Sequence, residues 1–295
     1  MTGIKEGDHL IGYGEVNTLD NILFFTSKGT YGYVPVYEVD DAKWKEIGSH
    51  INSKIKITSD EKITDAFIVK DFKTNAYMLS ITRHGLVKKT AICEYEVSRN
   101  NKTMSNMKLL EDDEVVQTYV AYEEDEILIA SKKGYITRYP ISLIPATSPR
   151  SKGVKAMNLV EDEIASALIY NNDNRQLVVF SDNCACKRMK LTDIDVTGRP
   201  TKGSMLCKKV KSKPYHIAYI SLHDLNDEIV IANSEIHKVV SKDIPLMAKD
   251  ATFSAMLKGI TDFYLLKELP KVELRELPKQ EEVEEEDFEA LSLFE

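Results

Sequence analysis

The chain has 295 residues, 43% of them hydrophobic and 29% charged, and a net charge of −8. This apolar content excludes a globally disordered chain. No apolar run reaches the ~18 residues of a membrane-spanning helix, and the N-terminus lacks an apolar signal segment, so a cytoplasmic protein without membrane contact is expected.

The first strand-like stretch, Asp8-His-Leu-Ile-Gly-Tyr-Gly-Glu-Val16, reads as the last strand of a copy whose beginning is absent. It is placed to pair with the final copy and close a ring. After it, one unit recurs: an apolar strand, a polar turn, a second strand, a loop with Lys/Arg and Gly, another strand, then acids and a final apolar strand. The copies begin Ile22-Leu-Phe-Phe-Thr-Ser-Lys-Gly29, Tyr77-Met-Leu-Ser-Ile-Thr-Arg-His-Gly85, Ile127-Leu-Ile-Ala-Ser-Lys-Lys-Gly134, Leu177-Val-Val-Phe-Ser-Asp-Asn-Cys184 and Ile229-Val-Ile-Ala-Asn-Ser-Glu235. Their turns are 56, 49, 50 and 51 residues apart. Four strands per ~50 residues, repeated radially, predict an all-β propeller-like ring. Five four-stranded blades are expected, or six if the residues after 250 build another. The pattern places this ring over 1–269 and leaves 270–295 as an acidic, flexible tail.

Charge is unevenly spread. Residues 268–295 hold 11 acids and 3 bases, whereas residues 132–216 hold 16 bases and 7 acids. A polyanion responds to charge within about a Debye length, ~8 Å, so a locally basic segment matters more than the total. Two loops stand out: Arg150-Ser-Lys-Gly-Val-Lys155, and its counterpart one repeat later, Gly198-Arg-Pro-Thr-Lys-Gly-Ser204. Glycine permits close backbone approach to phosphates, and Arg and Lys supply charge. Arg150, Lys152, Lys155, Arg199 and Lys202 are therefore candidate phosphate contacts. Lys132, Lys133, Arg138, Lys187, Arg188 and Lys190 on the hairpins of copies three and four join them, as do Lys208, Lys209, Lys211 and Lys213. A footprint centred on blades three and four is expected. Tyr31, Tyr33, Tyr77 and Tyr139 read as core or cross-strand packing rather than base-stacking platforms. Trp44 reads as a loop anchor.

No catalytic or metal-ligating pattern appears, and no cofactor is expected. His9, His50, His84, His216, His223 and His237 are scattered. Cys93, Cys184, Cys186 and Cys207 lack paired zinc spacing, and Cys184 and Cys186 read as small apolar residues on one strand face. Glu111–Glu114 and Glu161–Glu163 read as solvated turns.

The stretch Gly7-Asp8 through Glu15-Val-Asn-Thr18, with Leu23–Gly29, Val34-Pro-Val-Tyr-Glu-Val39 and Trp44-Lys-Glu-Ile-Gly48, resembles a known family. It is similar to the C-terminal domain of type IIA topoisomerase A subunits, above all topoisomerase IV of Gram-positive bacteria, over residues 3–269. The resemblance implies a β-pinwheel, in which each blade takes a strand from its neighbour and a basic rim binds and bends double-stranded DNA. It implies a non-catalytic, nucleoid-associated domain that presents the transported duplex for decatenation and relaxation. The ATP-dependent enzyme would be completed by the remainder of the A-type polypeptide, which holds the catalytic tyrosine, and by the B-type polypeptide of topoisomerase IV. The gyrase box Gln-Arg-Arg-Gly-Gly-Lys-Gly is absent: the matching stretch is Lys43-Trp-Lys-Glu-Ile-Gly-Ser49, which favours topoisomerase IV over a gyrase wrapping domain. A protein-interaction propeller is the alternative of another class, disfavoured because neither Trp-Asp nor a double glycine recurs. The acidic tail is placed to compete with DNA for the basic track. Its end, Ala290-Leu-Ser-Leu-Phe294, resembles a sliding-clamp peptide, with Leu291, Leu293 and Phe294 as the anchors.

Overall fold

The computed structural model describes residues 9–43, 46, 48–97, 101–171, 174–207 and 214–276. Among them no helix is long and apolar enough to cross a membrane. Each repeat supplies a first strand, a hairpin-linked second strand and a later inner strand. These are Asn21–Thr26, Thr30–Pro35 and Ile63–Val69 in blade 1; Tyr77–Thr82, Leu86–Ala91 and Val115–Ala121 in blade 2; and Glu126–Ser131, Tyr135–Pro140 and Ile164–Tyr170 in blade 3. Blade 4 has Gln176–Ser181, Cys186–Met189 and Ile217–His223, and blade 5 has Glu228–Ala232, Ile236–Val240 and Tyr264–Leu265. In every blade the first strand lies between the other two. The ring has five blades.

Both faces of a blade are covered by neighbours, which explains why its strands read as nearly unbroken apolar runs. On the first strand of blade 1, Leu23 and Phe25 pack into the layer shared with blade 2, while Phe24 enters a layer with Val34, Ile55 and Ala66. Between blades 3 and 4 the layer holds Leu128, Ile136, Leu177 and Val179. The core is thus a set of inter-blade layers.

Around the axis, polar side chains join consecutive inner strands. Thr118 N donates to Asp65 Oδ2 (2.8 Å), Ala167 N to Gln117 Oε1 (2.8 Å), Ile220 N to Ser166 Oγ (3.2 Å) and Tyr219 Oη to Phe263 O (3.2 Å). Lys267 Nζ reaches Asp65 Oδ1 at 2.7 Å and completes the circuit from blade 5 to blade 1. Burial raises the Asp65 carboxyl above its ordinary value, and the Lys267 ammonium opposes that rise. A cavity of ≈ 390 Å³ on the axis is lined by inner-strand residues such as Phe67, Thr118, Ser166 and Ser221.

The outer edge is built by exchange. Met104–Ser105 of repeat 2 pairs with Thr30 and Tyr31 of blade 1, Val154–Lys155 of repeat 3 with Leu86 and Val87 of blade 2, and Ser204–Met205 of repeat 4 with Tyr135 and Ile136 of blade 3. Ser254 of repeat 5 bridges Cys186 of blade 4. These donors recur every 50 residues, so the outer edge of each of blades 1 to 4 is completed by the next repeat, by a strand in blades 1 to 3 and by the Ser254 bridge in blade 4. The donors lie hard against their acceptors. A Cβ on Gly153 would sit 2.7 Å from Val87 O, and one on Gly203, whose φ is +78°, would collide with Ile136 O. Gly203→Ala is expected to cost more than about 2 kcal/mol, read by thermal unfolding.

The chain ends meet between blades 5 and 1. Tyr13 bridges Glu268, and Leu269 N donates to Tyr13 O at 2.7 Å. The expected contact of the N-terminal stretch with the last copy therefore forms. The expected boundary at residue 269 is corrected: Lys271–Val272 pairs parallel to Ile68–Val69, Val272 is buried, and Arg275 binds Glu124 (3.1 Å) and Asp125. The ring runs at least to Arg275. The remaining tail, with Leu291, Leu293 and Phe294, lies outside the described residues, as does Trp44.

Candidate nucleic-acid interface

Strand exchange moves the basic loops by one blade. Because the donors of repeats 3 and 4 sit on blades 2 and 3, Lys152 and Lys202 lie on the rims of blades 2 and 3, not 3 and 4. Lys152, Lys155 and Lys202 are exposed, as is Arg150, which adopts a left-handed φ of 71°. Lys202 Nζ lies 4.6 Å from the centroid of the Tyr135 ring, which holds the ammonium at the outer edge of blade 3. Lys102, which no glycine-marked loop singles out in the sequence, stands two residues before the Met104–Ser105 donor and is exposed. It occupies the same register as Lys152 and Lys202. The three lysines thus recur at one place on three consecutive rims. No described acidic side chain forms an ion pair with any of them, so their charge is available to an external anion.

Arg199 is only partly exposed. Its Nε donates to Leu143 O (3.0 Å) and its Nη1 to Lys155 O (2.8 Å), splicing the repeat-4 loop onto repeat 3. Lys132 and Lys133 are exposed at the hairpin turn of blade 3, and Lys132 is paired with Glu163 at 2.5 Å. Lys190 is exposed at the far end of the second strand of blade 4. Lys208, Lys209, Lys211 and Lys213 lie outside the described residues.

Three expected contacts are corrected. Arg138 pairs with Glu126 at 2.5 Å, caps Ile194 O at 3.3 Å and stacks over Tyr170. Arg188, 8% exposed, donates to Ile244 O at 3.1 Å and to the side chain of Gln176. Lys89 occupies the same register in blade 2, between Glu123 (2.9 Å) and Ile141 O (3.4 Å). A cation at this position clamps the second strands of blades 2, 3 and 4 to the short 3-10 turn of the next repeat. Lys187 is 0% exposed, with Nζ donating to Leu206 O (2.7 Å), Ala248 O (3.2 Å), Lys249 O (2.6 Å) and Ala251 O (3.1 Å). These charges serve the fold, because alternation along Cys186–Met189 directs both side chains into blade contacts rather than solvent. Arg138→Met is expected to lower stability by about 2 kcal/mol, read by thermal unfolding, while leaving the salt dependence of DNA binding unchanged.

Tyr31 and Tyr139 are buried, as the strand pattern implied. The acidic turns are more than solvated loops: Asp113 Oδ1 accepts from His84 N (2.9 Å), and Asp162 Oδ1 from Lys133 N (3.0 Å). Cys184 and Cys186 are buried thiols, pushed up to about 12 and about 11 by burial. Among the described residues no cluster of three His, Cys, Asp or Glu is placed to hold a metal.

The family model described as "DNA gyrase C-terminal domain, beta-propeller" matches residues 20–70, 76–121, 125–171 and 175–223. Those segments coincide with blades 1 to 4. The A subunit of DNA topoisomerase 4 from Staphylococcus epidermidis is 31% identical over 237 residues, covering 80% of this chain and 30% of that protein. The Bacillus subtilis protein of the same name is 33% identical over 217 residues, covering 73% and 27%. The chain thus spans about 30% of the length of such relatives. A crystal structure of the C-terminal domain of DNA topoisomerase IV matches with a TM-score of 0.81 at 31% identity, covering 89% of this chain and 84% of that one. A DNA gyrase A C-terminal domain matches with a TM-score of 0.72 at 22% identity, covering 86% and 84%, a likeness of fold.

Proposed function

The chain belongs to the DNA gyrase C-terminal domain family of β-propellers, and from that premise we propose that it is a double-stranded-DNA-binding domain of a topoisomerase IV A-type polypeptide, without chemistry of its own. The observation that carries this reading is the repetition of Lys102, Lys152 and Lys202 on three successive blade rims, exposed and free of described acidic partners. Phosphates along a duplex follow a smooth path, and an arc of equivalent ammonium groups meets them without reading bases. Lys155 and Arg150 flank the arc, Lys133 and Lys190 extend the positive field beyond it, and Lys132 is neutralised by Glu163. The domain presents the transported segment to a strand-passage core formed by the remainder of the A-type polypeptide with its B-type partner, in an ATP-dependent enzyme associated with the nucleoid. No cofactor is needed for this role. A leucine–phenylalanine contact of residues 291–294 with a sliding clamp is a further partner in this reading.

The test is a salt titration of duplex binding. Affinity falls steeply and linearly on a log–log plot if phosphate contacts dominate, and absence of binding at low salt refutes the reading.

A further inference from the structure

At one register of the second strand, three blades bury a polar side chain and satisfy it differently. The position is Lys88 in blade 2, Thr137 in blade 3 and Lys187 in blade 4, fixed by the donor pairings of Val87, Ile136 and Cys186 just before it. Thr137 shares hydrogen bonds with the hydroxyls of Thr197 (3.1 Å) and Thr201 (3.0 Å). Lys187 directs its charge at four carbonyls, and the residue opposite it, Phe253, lays its ring 5.7 Å from Nζ. Lys88 is also buried, at 2% exposed, yet its three N–H groups have one acceptor among the described residues, the Thr90 hydroxyl. Burial pushes this ammonium down to about 8, and Glu94, which forms no ion pair with it, opposes the fall. A buried cation short of acceptors favours any anion that comes within its reach.

The anion that this position meets is set by the loop above it. Thr90 Oγ1, which accepts from Lys88, donates to Thr147 O at 2.9 Å, and Ser151 Oγ closes the loop neck on Thr147 Oγ1 at 2.9 Å. The loop so held carries Arg150 and Lys152, both exposed. The donor register places Gly153 opposite Lys88, so no donor-strand side chain caps the ammonium, and the methyl end of Met107 packs against that glycine. Four methylenes let a lysine ammonium turn outward while its stem stays in apolar packing.

We propose that Lys88 is a phosphate ligand held in reserve: when a duplex seats on Arg150 and Lys152, its ammonium turns past the loop neck onto a phosphodiester oxygen. The assignment rests on the DNA-binding reading and adds to it a contact that the exposed charges do not reveal.

A salt titration of duplex binding by the full 295-residue chain tests this. Lys88→Thr installs the residue type that blade 3 carries at this register, and Lys88→Met keeps the length of the stem; thermal unfolding reports that each is folded. Both are expected to bind about eightfold more weakly at ~0.1 M salt, with a log–log slope shallower by about 0.9. Lys88→Arg is expected to keep the parent slope. Lys187→Met, buried but bonded to four carbonyls, is expected to leave the slope unchanged, which separates a phosphate contact from a structural loss. Parent slopes in both Lys88→Thr and Lys88→Met, beside a shallower Lys152→Gln line, overturn the assignment and leave the DNA-binding reading standing. Absence of binding by the parent at low salt overturns both.

Discussion

Replacing Lys102, Lys152 and Lys202 together with glutamine is expected to weaken duplex DNA binding about 100- to 1,000-fold at ~0.1 M salt. Each phosphate neutralised contributes about 0.9 to the slope of log affinity against log salt, so three lysines carry roughly 2.7 of that slope. At ~0.1 M salt, one such contact is worth about eightfold in affinity, which gives the triple figure. The measurement is a titration from ~50 to ~200 mM salt for the parent and the variant. The variant's line should be shallower by about 2.7, and the two should converge toward high salt. Because these side chains are exposed and form no ion pairs with described acidic residues, thermal unfolding should stay within about 0.5 kcal/mol per site. An unchanged slope means that the rim does not touch phosphate. The paired Lys132 offers a comparison, since Glu163 already neutralises it at 2.5 Å and its replacement should shift the slope less.

What the sequence made legible follows from chain periodicity. Turns spaced by 49 to 56 residues, and short apolar strands, identified five blades and their hairpins. Periodicity does not say to which blade a strand belongs. The donors Met104–Ser105, Val154–Lys155 and Ser204–Met205 are two-residue strands embedded in polar loops, without an alternation of their own. The basic footprint was therefore expected one blade too far along. Charge misled in a second way. Arg138, Lys187 and Arg188 sit on strands whose two faces are both covered, so their cations are matched internally by carbonyls and carboxylates. Lys102 escaped notice because Asn101-Lys102-Thr103 lacks the glycine that marks the later loops. Its signal was register: 102, 152 and 202 are spaced by the repeat itself.

Lys187→Met is expected to destabilise the ring by about 3 kcal/mol at neutral pH, lowering the unfolding temperature by roughly 6–10 °C. The ammonium is the common partner of four carbonyls that come from the repeat-4 donor tail at Leu206 and the repeat-5 rim loop at Ala248, Lys249 and Ala251. Methionine fills the space but leaves those oxygens without a charged donor. The pH dependence separates this cation from an ordinary surface lysine. Burial pushes the Lys187 ammonium down from 10.5 to about 8, opposed by Cys207 and Asp250, and it pushes Lys88 down to about 8, opposed by Glu94. Between about pH 8 and 9 the unfolded chain keeps ammonium protons that the folded ring has released, so stability rises with pH; above about 9 the thiols of Cys184 and Cys186, raised by burial, lose protons only in the unfolded chain and offset that rise. Burial raises the Tyr95, Tyr119 and Tyr139 hydroxyls, so above pH ~10 the unfolded chain is the one that loses protons and stability falls again. Unfolding measured from about pH 7 to about pH 11 should therefore show stability rising above pH ~8, levelling off near pH ~9 and falling above pH ~10. Lys187→Met should flatten the rising limb and Lys88→Met should flatten it further, with the falling limb untouched. The absence of any rise above about pH 8 in the parent would show that both ammonium groups are held in their charged form by the carbonyl and hydroxyl oxygens around them.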